Sequence, residues 1–250
     1  MIARRTLAAA LRALAAAAAR ALSPPACAGC DAFLAEAAVF CAGCARTVAP
    51  WRPARAGCLP RGAIGSSSAA DAALVAFAPF AGALADGIRR FKYGDRPDLA
   101  RPLGRLLLCA AREAGVGADV VVPVPLHPRR LAERGYNQAA LLAAHIAGGL
   151  GAKLAPRALC RVRSTAQQAQ LPRELRLQNV AGAFRVRAPE RVRGRRIALV
   201  DDVATTGATL AACHDALLGA GVASVTCLVL ASTEGGVDDL RSSPRSAPRT

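Results

Sequence analysis

Two adjacent carboxylates, Asp201 and Asp202, stand between an apolar run at 197–200 and a small-residue stretch of Val203, Ala204, Thr205, Thr206, Gly207, Ala208 and Thr209. The run is too short for a helix and is β-branched at both ends, so it reads as a buried strand. The small residues then turn into an Ala/Leu-rich helical segment. Such a turn offers backbone N–H groups at a helix N-terminus, and its threonines add hydroxyl donors, a combination that suits a phosphate. The two acids would repel that same phosphate. They make sense beside a ligand that carries hydroxyls next to its phosphate, because a carboxylate accepts hydrogen bonds from a diol. A phosphorylated sugar meets both demands; an ordinary turn capped by Asp and Thr is the plainer alternative.

A second chemical cluster lies at 121–138. The sequence V-V-P-V-P-L-H-P-R-R-L-A-E-R-G-Y-N-Q reads as a strand ending at Pro123, since proline cannot continue a central ladder. A stiff turn follows that presents Arg129, Arg130 and Arg134. Guanidinium forks bind phosphate oxygens bidentately, so this cluster fits a polyphosphate. Asn137 and Gln138 stand at the next helix start, where Asn137 could equally serve as a cap. His127 reads as a turn residue without chemistry, and His145 and His214 as structural. A third cluster is Cys27-x-x-Cys30 and Cys41-x-x-Cys44. Two pinching pairs give four thiolates, which satisfy a tetrahedral Zn²⁺ and leave no open position for catalysis. The apolar content between them is small, so this module needs its metal to fold.

The elements that must position these groups follow from periodicity. Helices are expected over 80–91 and 99–114, a strand over 120–124, a helix over 137–150, a long loop over 160–179, a helix over 208–218 and a last strand over 224–230. Strands alternating with helices predict an α/β domain with a central, mainly parallel sheet flanked by helices. The expected organisation is an N-terminal helix at 1–22, the cysteine module at 23–58, a Gly/Ser-rich linker at 59–73, the α/β domain at 74–232 and a disordered Ser/Pro/Arg-rich tail at 233–250.

Composition narrows the partners. The chain has 250 residues, 53% of them hydrophobic, and a formal net charge of +16 carried almost wholly by Arg, with Lys only at 92 and 153. That balance fits anionic ligands, polyphosphates or nucleic acid, and also fits a solvated basic surface. Phe, Trp and Tyr total nine, so platforms for stacking single-stranded bases are scarce, with Trp51, Phe91, Tyr93 and Tyr136 the candidates. The Ala-rich start is broken by Arg12 and Arg20 and makes no membrane span. Arg12 also falls inside what would be the apolar core of a signal peptide. A cytoplasmic location is therefore expected, which argues against structural disulfides among the nine cysteines.

The segment I-A-L-V-D-D-V-A-T-T-G-A-T resembles the phosphoribosyl pyrophosphate (PRPP) motif of type I phosphoribosyltransferases. Over about residues 22–230, the cysteine ribbon, F-K-Y-G, V-P-V-P-L-H-P-R-R-L-A-E-R-G-Y-N-Q, R-S-T-A-Q-Q-A-Q-L-P-R-E-L-R-L-Q-N-V-A-G-A-F and V-D-D-V-A-T-T-G occur in the order seen in the ComF/GntX family of competence proteins. The resemblance implies a type I phosphoribosyltransferase-like fold preceded by a small zinc-ribbon module. It implies PRPP and Mg²⁺ as ligands, with structural Zn²⁺. Asp201, Asp202, Arg129 and Arg130 would be the catalytic residues. Residues 203–209 with Arg134, Asn137 and Gln138 would bind PRPP, and Thr165, Gln168, Arg176 and Asn179 would lie in a mobile hood loop. Relatives often carry a further C-x-x-C pair where only Cys58 stands here, so one zinc site is expected. Two functions are compatible with the resemblance: phosphoribosyl transfer to an unidentified acceptor, or a non-catalytic binding role in DNA uptake with single-stranded DNA or a competence helicase as partner and PRPP as a regulatory ligand or not bound.

Overall fold

The structure is a computed structural model and describes residues 25–36, 38–50, 73–163, 180 and 182–233. The expected N-terminal helix, Cys58, most of the linker, the hood-loop residues Thr165, Gln168, Arg176 and Asn179, and nearly all of the tail lie outside the described residues.

Seven strands and six α-helices are described: β1 (Ala73–Pro79), β2 (Val120–Pro123), β3 (Lys153–Leu154), β4 (Leu159–Arg161), β5 (Phe184–Val186), β6 (Arg196–Ala204) and β7 (Ser224–Ser232), with α1 (Ala42–Ala45), α2 (Gly82–Tyr93), α3 (Ala100–Glu113), α4 (Pro128–Arg134), α5 (Gln138–Leu150) and α6 (Ala208–Gly219). Five strands form one sheet in the order β1-β7-β6-β2-β3, every neighbouring pair parallel. β4 and β5 form a separate antiparallel hairpin.

The central strands are apolar on both faces, as a covered parallel sheet requires. In β6, Ile197 and Leu199 belong to one core with Leu210, Cys213 and Leu217 of α6. Ala198 and Val200 belong to the other, with Leu84, Ile88 and Phe91 of α2, Leu103 and Leu107 of α3, and Leu142 and Ile146 of α5. The helical residues recur at intervals of three or four, which places them on one stripe. α3 and α5 pack so closely that a Cβ on Gly104 would lie 2.7 Å from the His145 ring and one on Gly149 would lie 2.2 Å from Leu108.

Several expectations need correction. Ala73, placed at the end of the linker, opens β1, a strand absent from the periodicity reading. The turn expected to carry Arg129, Arg130 and Arg134 is a helix, α4, capped by the His127 ring, whose Nδ1 accepts from the Arg129 N–H at 3.3 Å. The loop expected over 160–179 begins inside strand β4. The strand at 197–200 runs on to Ala204, because β7 stays paired beside it through Ala204↔Ser232.

Candidate active site

The strand order places the site. From β6 the chain crosses through α6 to β7, and from β2 it crosses through α5 to β3, which lies on the other side. β6 and β2 are neighbours from which the chain departs in opposite directions, a topological switch point, and ligands of such sheets bind at the carboxyl ends of the strands there. β2 stops at Pro123, opposite Val200, while β6 continues past it. A cleft of about 1010 Å³ opens at that notch, lined among others by Lys92, Arg130, Arg161, Asp202 and Thr209.

Period-two alternation sends the acids apart. Asp202 follows Ala198 and Val200 toward the α2 face. There its Oδ1 meets Lys92 Nζ at 2.8 Å, with both side chains largely buried. Burial works against charge on Lys92, but the Asp202 carboxylate beside it, with Asp201 further off, holds its pKa above the ordinary value. Asp201 follows Ile197 and Leu199 toward the α6 face. Loss of water, then repulsion from Asp202, pushes its pKa up to about 7, against the pull of Lys92, the Asp202 N–H and Arg161. The Asp202 N–H donates to Asp201 Oδ1 at 2.9 Å. The strand therefore presents one carboxyl tied to a lysine and one whose pKa is raised to about 7.

The predicted phosphate ligands separate into groups. Arg130 and Arg134 line the cleft; Arg129 does not line it and pairs at 3.1 Å with Glu133, which does. The Arg134 guanidinium sits 5.0 Å from the centre of the Tyr93 ring and donates to Gln138 Oε1 at 2.8 Å. Asn137 lines the cleft, yet its side chain is engaged locally. Its Oδ1 accepts from the N–H groups of Ala139 and Ala140, and its Nδ2 donates to the Val124 carbonyl. The capping reading is the one its hydrogen bonds show. Gln138 is 2% exposed and its Nε2 has no hydrogen-bond partner, unusual for a buried amide.

On the β6 side, Val203, Thr205 and Thr209 line the cleft, whereas Ala204, Thr206, Gly207 and Ala208 shape the turn behind them. Gly207 takes φ 71° at the N-cap of α6, a conformation that favours glycine. Thr206 Oγ1 accepts from the Ala208 N–H at 3.5 Å. Thr233 ties the turn to β7 through the Ala204 and Thr205 carbonyls.

The structure also brings in residues to which the sequence reading gave no role at the site. Lys92 comes from the last turn of α2, Tyr93 follows it, and Arg161 comes from β4. Lys92 had one signal, its place in F-K-Y-G in a chain that otherwise uses Arg. Arg161 had none, because it sat in the stretch read as a loop. Of the stacking candidates, Phe91 is fully buried and Tyr93 is 77% exposed in the cleft; Trp51 lies outside the described residues.

Away from the cleft, Cys27, Cys30, Cys41 and Cys44 converge, their Sγ atoms all within 4.8 Å of one another. The Cys30 and Cys41 sulfurs are 3.8 Å apart. A Zn–S bond of about 2.3 Å implies a tetrahedral S–S edge of about 3.8 Å, so the donor set fits a closed Zn²⁺ site. Two of the thiols shift in opposite senses: against burial, backbone N–H groups around Cys27, chiefly that of Cys41, bring its thiol down to about 6, while burial and the neighbouring thiols push Cys44 up. Among the described residues no helix is long and apolar enough to cross a membrane.

Comparison with known proteins agrees with this architecture. Residues 135–246 match the phosphoribosyl transferase domain family. The chain is 39% identical over 165 residues to the DNA utilization protein YhgH of Escherichia coli K12, covering 64% of this chain and 72% of that one. It is 38% identical over 129 residues to competence protein F of Haemophilus influenzae, covering 49% and 56%. Among solved structures, the glutamine PRPP amidotransferase of B. subtilis aligns at 24% identity and a TM-score of 0.40 over 56% of this chain and 30% of that one. TT1426 of Thermus thermophilus aligns at 20% identity and a TM-score of 0.37 over 60% and 86%. With its parallel sheet, its four-cysteine module and this degree of relatedness, the chain belongs to the ComF family and carries a phosphoribosyltransferase-type domain.

Proposed function

We propose that the cleft binds PRPP with Mg²⁺ and transfers its phosphoribosyl group to an acceptor, releasing pyrophosphate. The observation that carries this reading is the placement of two β6 acids at the open switch point, between a threonine turn on one side and Arg130 and Arg134 on the other. The turn at Thr205–Thr209 would take the 5-phosphate through its N–H groups and hydroxyls. Asp202 and Asp201 would accept from the ribose hydroxyls. Arg130 and Arg134 would hold the pyrophosphate, with Arg129, paired to Glu133, left to the rim.

In the reaction the bond between C1 and the pyrophosphate oxygen breaks, and its electron pair leaves with pyrophosphate. The guanidinium groups stabilise that developing charge. The carboxylates favour the positive charge that develops on the ribose ring, and the acceptor then supplies the electron pair of the new bond at C1. Asp95, Glu133, Asp201 and Asp202 line the same cleft and offer the oxygen donors that Mg²⁺ takes; bound there with the ligand, Mg²⁺ would offset polyphosphate charge.

Calorimetric titration with PRPP tests the assignment of the acids. The double substitution Asp201→Asn, Asp202→Asn keeps the shapes and removes two charge-assisted hydrogen bonds, so affinity should fall about 100-fold or more. Unchanged affinity in a folded variant would remove the acids from the site.

A second reading has its own observation. Residues 185–196 hold six Arg and one Glu. Arg185, Arg187, Arg191, Arg193 and Arg195 are exposed, and the described ion pair of this segment is Arg196 with Asp119. Such a row suits the phosphates of a nucleic acid, and the names of the relatives, a DNA utilization protein and a competence protein, support a role in handling DNA; single-stranded DNA and a helicase would be the partners in that role. The cytoplasm is where such a protein would act.

A further inference from the structure

The cysteine module and the cleft grip the same helix. α2 has no cap of its own, since Ala81 at its N-cap position makes no side-chain hydrogen bond. The Ala83 N–H donates instead to Thr47 Oγ1 at 3.0 Å. That hydroxyl donates in turn to the carbonyl of Cys44 at 2.8 Å. The approach is close: Gly82 takes φ +54°, and a Cβ there would lie 2.4 Å from the Thr47 carbonyl oxygen. Gly29, between Cys27 and Cys30, leaves 2.8 Å between its own Cβ position and Ala83 Cβ, and a Cβ on Gly87 would lie 3.1 Å from the Ala28 carbonyl oxygen. Ala28 itself is buried in one core with Leu84, Ile88 and Phe91. Asp31 forms ion pairs with Arg90 in α2 and with Arg96 just beyond it. The module thus touches α2 at its first turn, its middle and its last turn.

Nine residues after the Thr47 contact, a rise of about 14 Å along the helix, Lys92 reaches Asp202 in the cleft. The Tyr136 hydroxyl donates to the Phe91 carbonyl at 2.6 Å and pins the same turn to the cleft wall. We propose that Thr47 and Asp31 are positioning residues for Lys92: the cysteine module, locked by its metal, fixes where α2 ends and so holds the Lys92 ammonium against Asp202. Nothing in this requires the module to touch the ligand. It gives the four cysteines a task in the cleft that their closed coordination denies them directly. The inference rests on the proposed PRPP site only for its affinity readout.

Thr47 is not a metal ligand, so it can be changed with the metal in place. The test compares Thr47→Val, Thr47→Ser, Lys92→Met and the pair Thr47→Val, Lys92→Met in the full-length, metal-loaded protein. Thr47→Val should leave the zinc content unchanged. It should speed amide hydrogen exchange in the last turn of α2, not only in the first, and weaken PRPP binding about tenfold, the scale of a lost threonine cap. Thr47→Ser, which keeps the hydroxyl, should restore both. In the Lys92→Met background, Thr47→Val should cost less than about twofold, because residues acting through one another are not additive. The proposal is overturned if Thr47→Val leaves exchange at 91–93 unchanged, or weakens binding as much without Lys92 as with it. A wild-type protein that binds no PRPP would sink the functional reading alone, and the exchange comparison then decides the positioning claim.

Discussion

Asp201 and Asp202 look like an equivalent pair in the sequence, and a strand makes them unlike. Alternation gives Asp202 a lysine partner and leaves Asp201 on the α6 side, where desolvation holds its pKa near 7. Unfolded, an Asp carboxyl titrates near ~3.9. Between that value and about 7 the folded chain keeps a proton that the unfolded chain has released. Stability therefore falls as pH rises through this window, and the loss is complete above it. Asp201→Asn removes the cost. By scanning calorimetry this variant should melt above the wild type at pH 8, by several degrees, and the advantage should vanish near pH 4. A variant that melts below the wild type at pH 8 would contradict the environment assigned to Asp201. Legibility at this scale was uneven. The acids, the threonines and the cysteines announced themselves by type and spacing. Lys92 could not, because its partner lies 110 positions away in the chain and only the packing of α2 on β6 joins them.

Among the elements, β6 does the most to separate functions. From Arg196 to Ala204 it spans about 26 Å, with the acids near its carboxyl end and Arg193, Arg195 and Arg196 at its amino end. If this basic edge meets DNA, Arg193→Ala with Arg195→Ala should weaken binding of a labelled single strand. It should also reduce the slope of log affinity against log salt by about 1.4, since each lost phosphate contact on a single strand removes about 0.7. PRPP affinity should stay as it was. An unchanged slope would place the DNA contacts elsewhere. The strands and helices with strong apolar periodicity, such as α3, α5 and β7, were readable to within a residue or two. β1 was missed because its inward positions are Leu74, Ala76 and Ala78, side chains too small to mark a strand beside an Ala-rich linker. α4 was missed because Pro128 reads as a turn, although proline at the first helical position is favourable.

The molecule as a whole joins a five-stranded parallel sheet, two cores and a small four-cysteine module that docks on one helix. Fold class was legible because alternation of strands and helices follows from local pattern. The strand order was not, and with it went the switch point between β6 and β2, which depends on contacts far apart in sequence. That switch point gathers into one cleft the acids of one crossover and the guanidinium groups of the other, and this convergence is the central claim. Its most direct test is isothermal titration of the zinc-loaded wild-type protein with PRPP, with and without Mg²⁺. Saturable one-to-one binding that strengthens sharply when Mg²⁺ is present is the expected result. No heat of binding under either condition, from protein shown to be folded and metal-loaded, would contradict it.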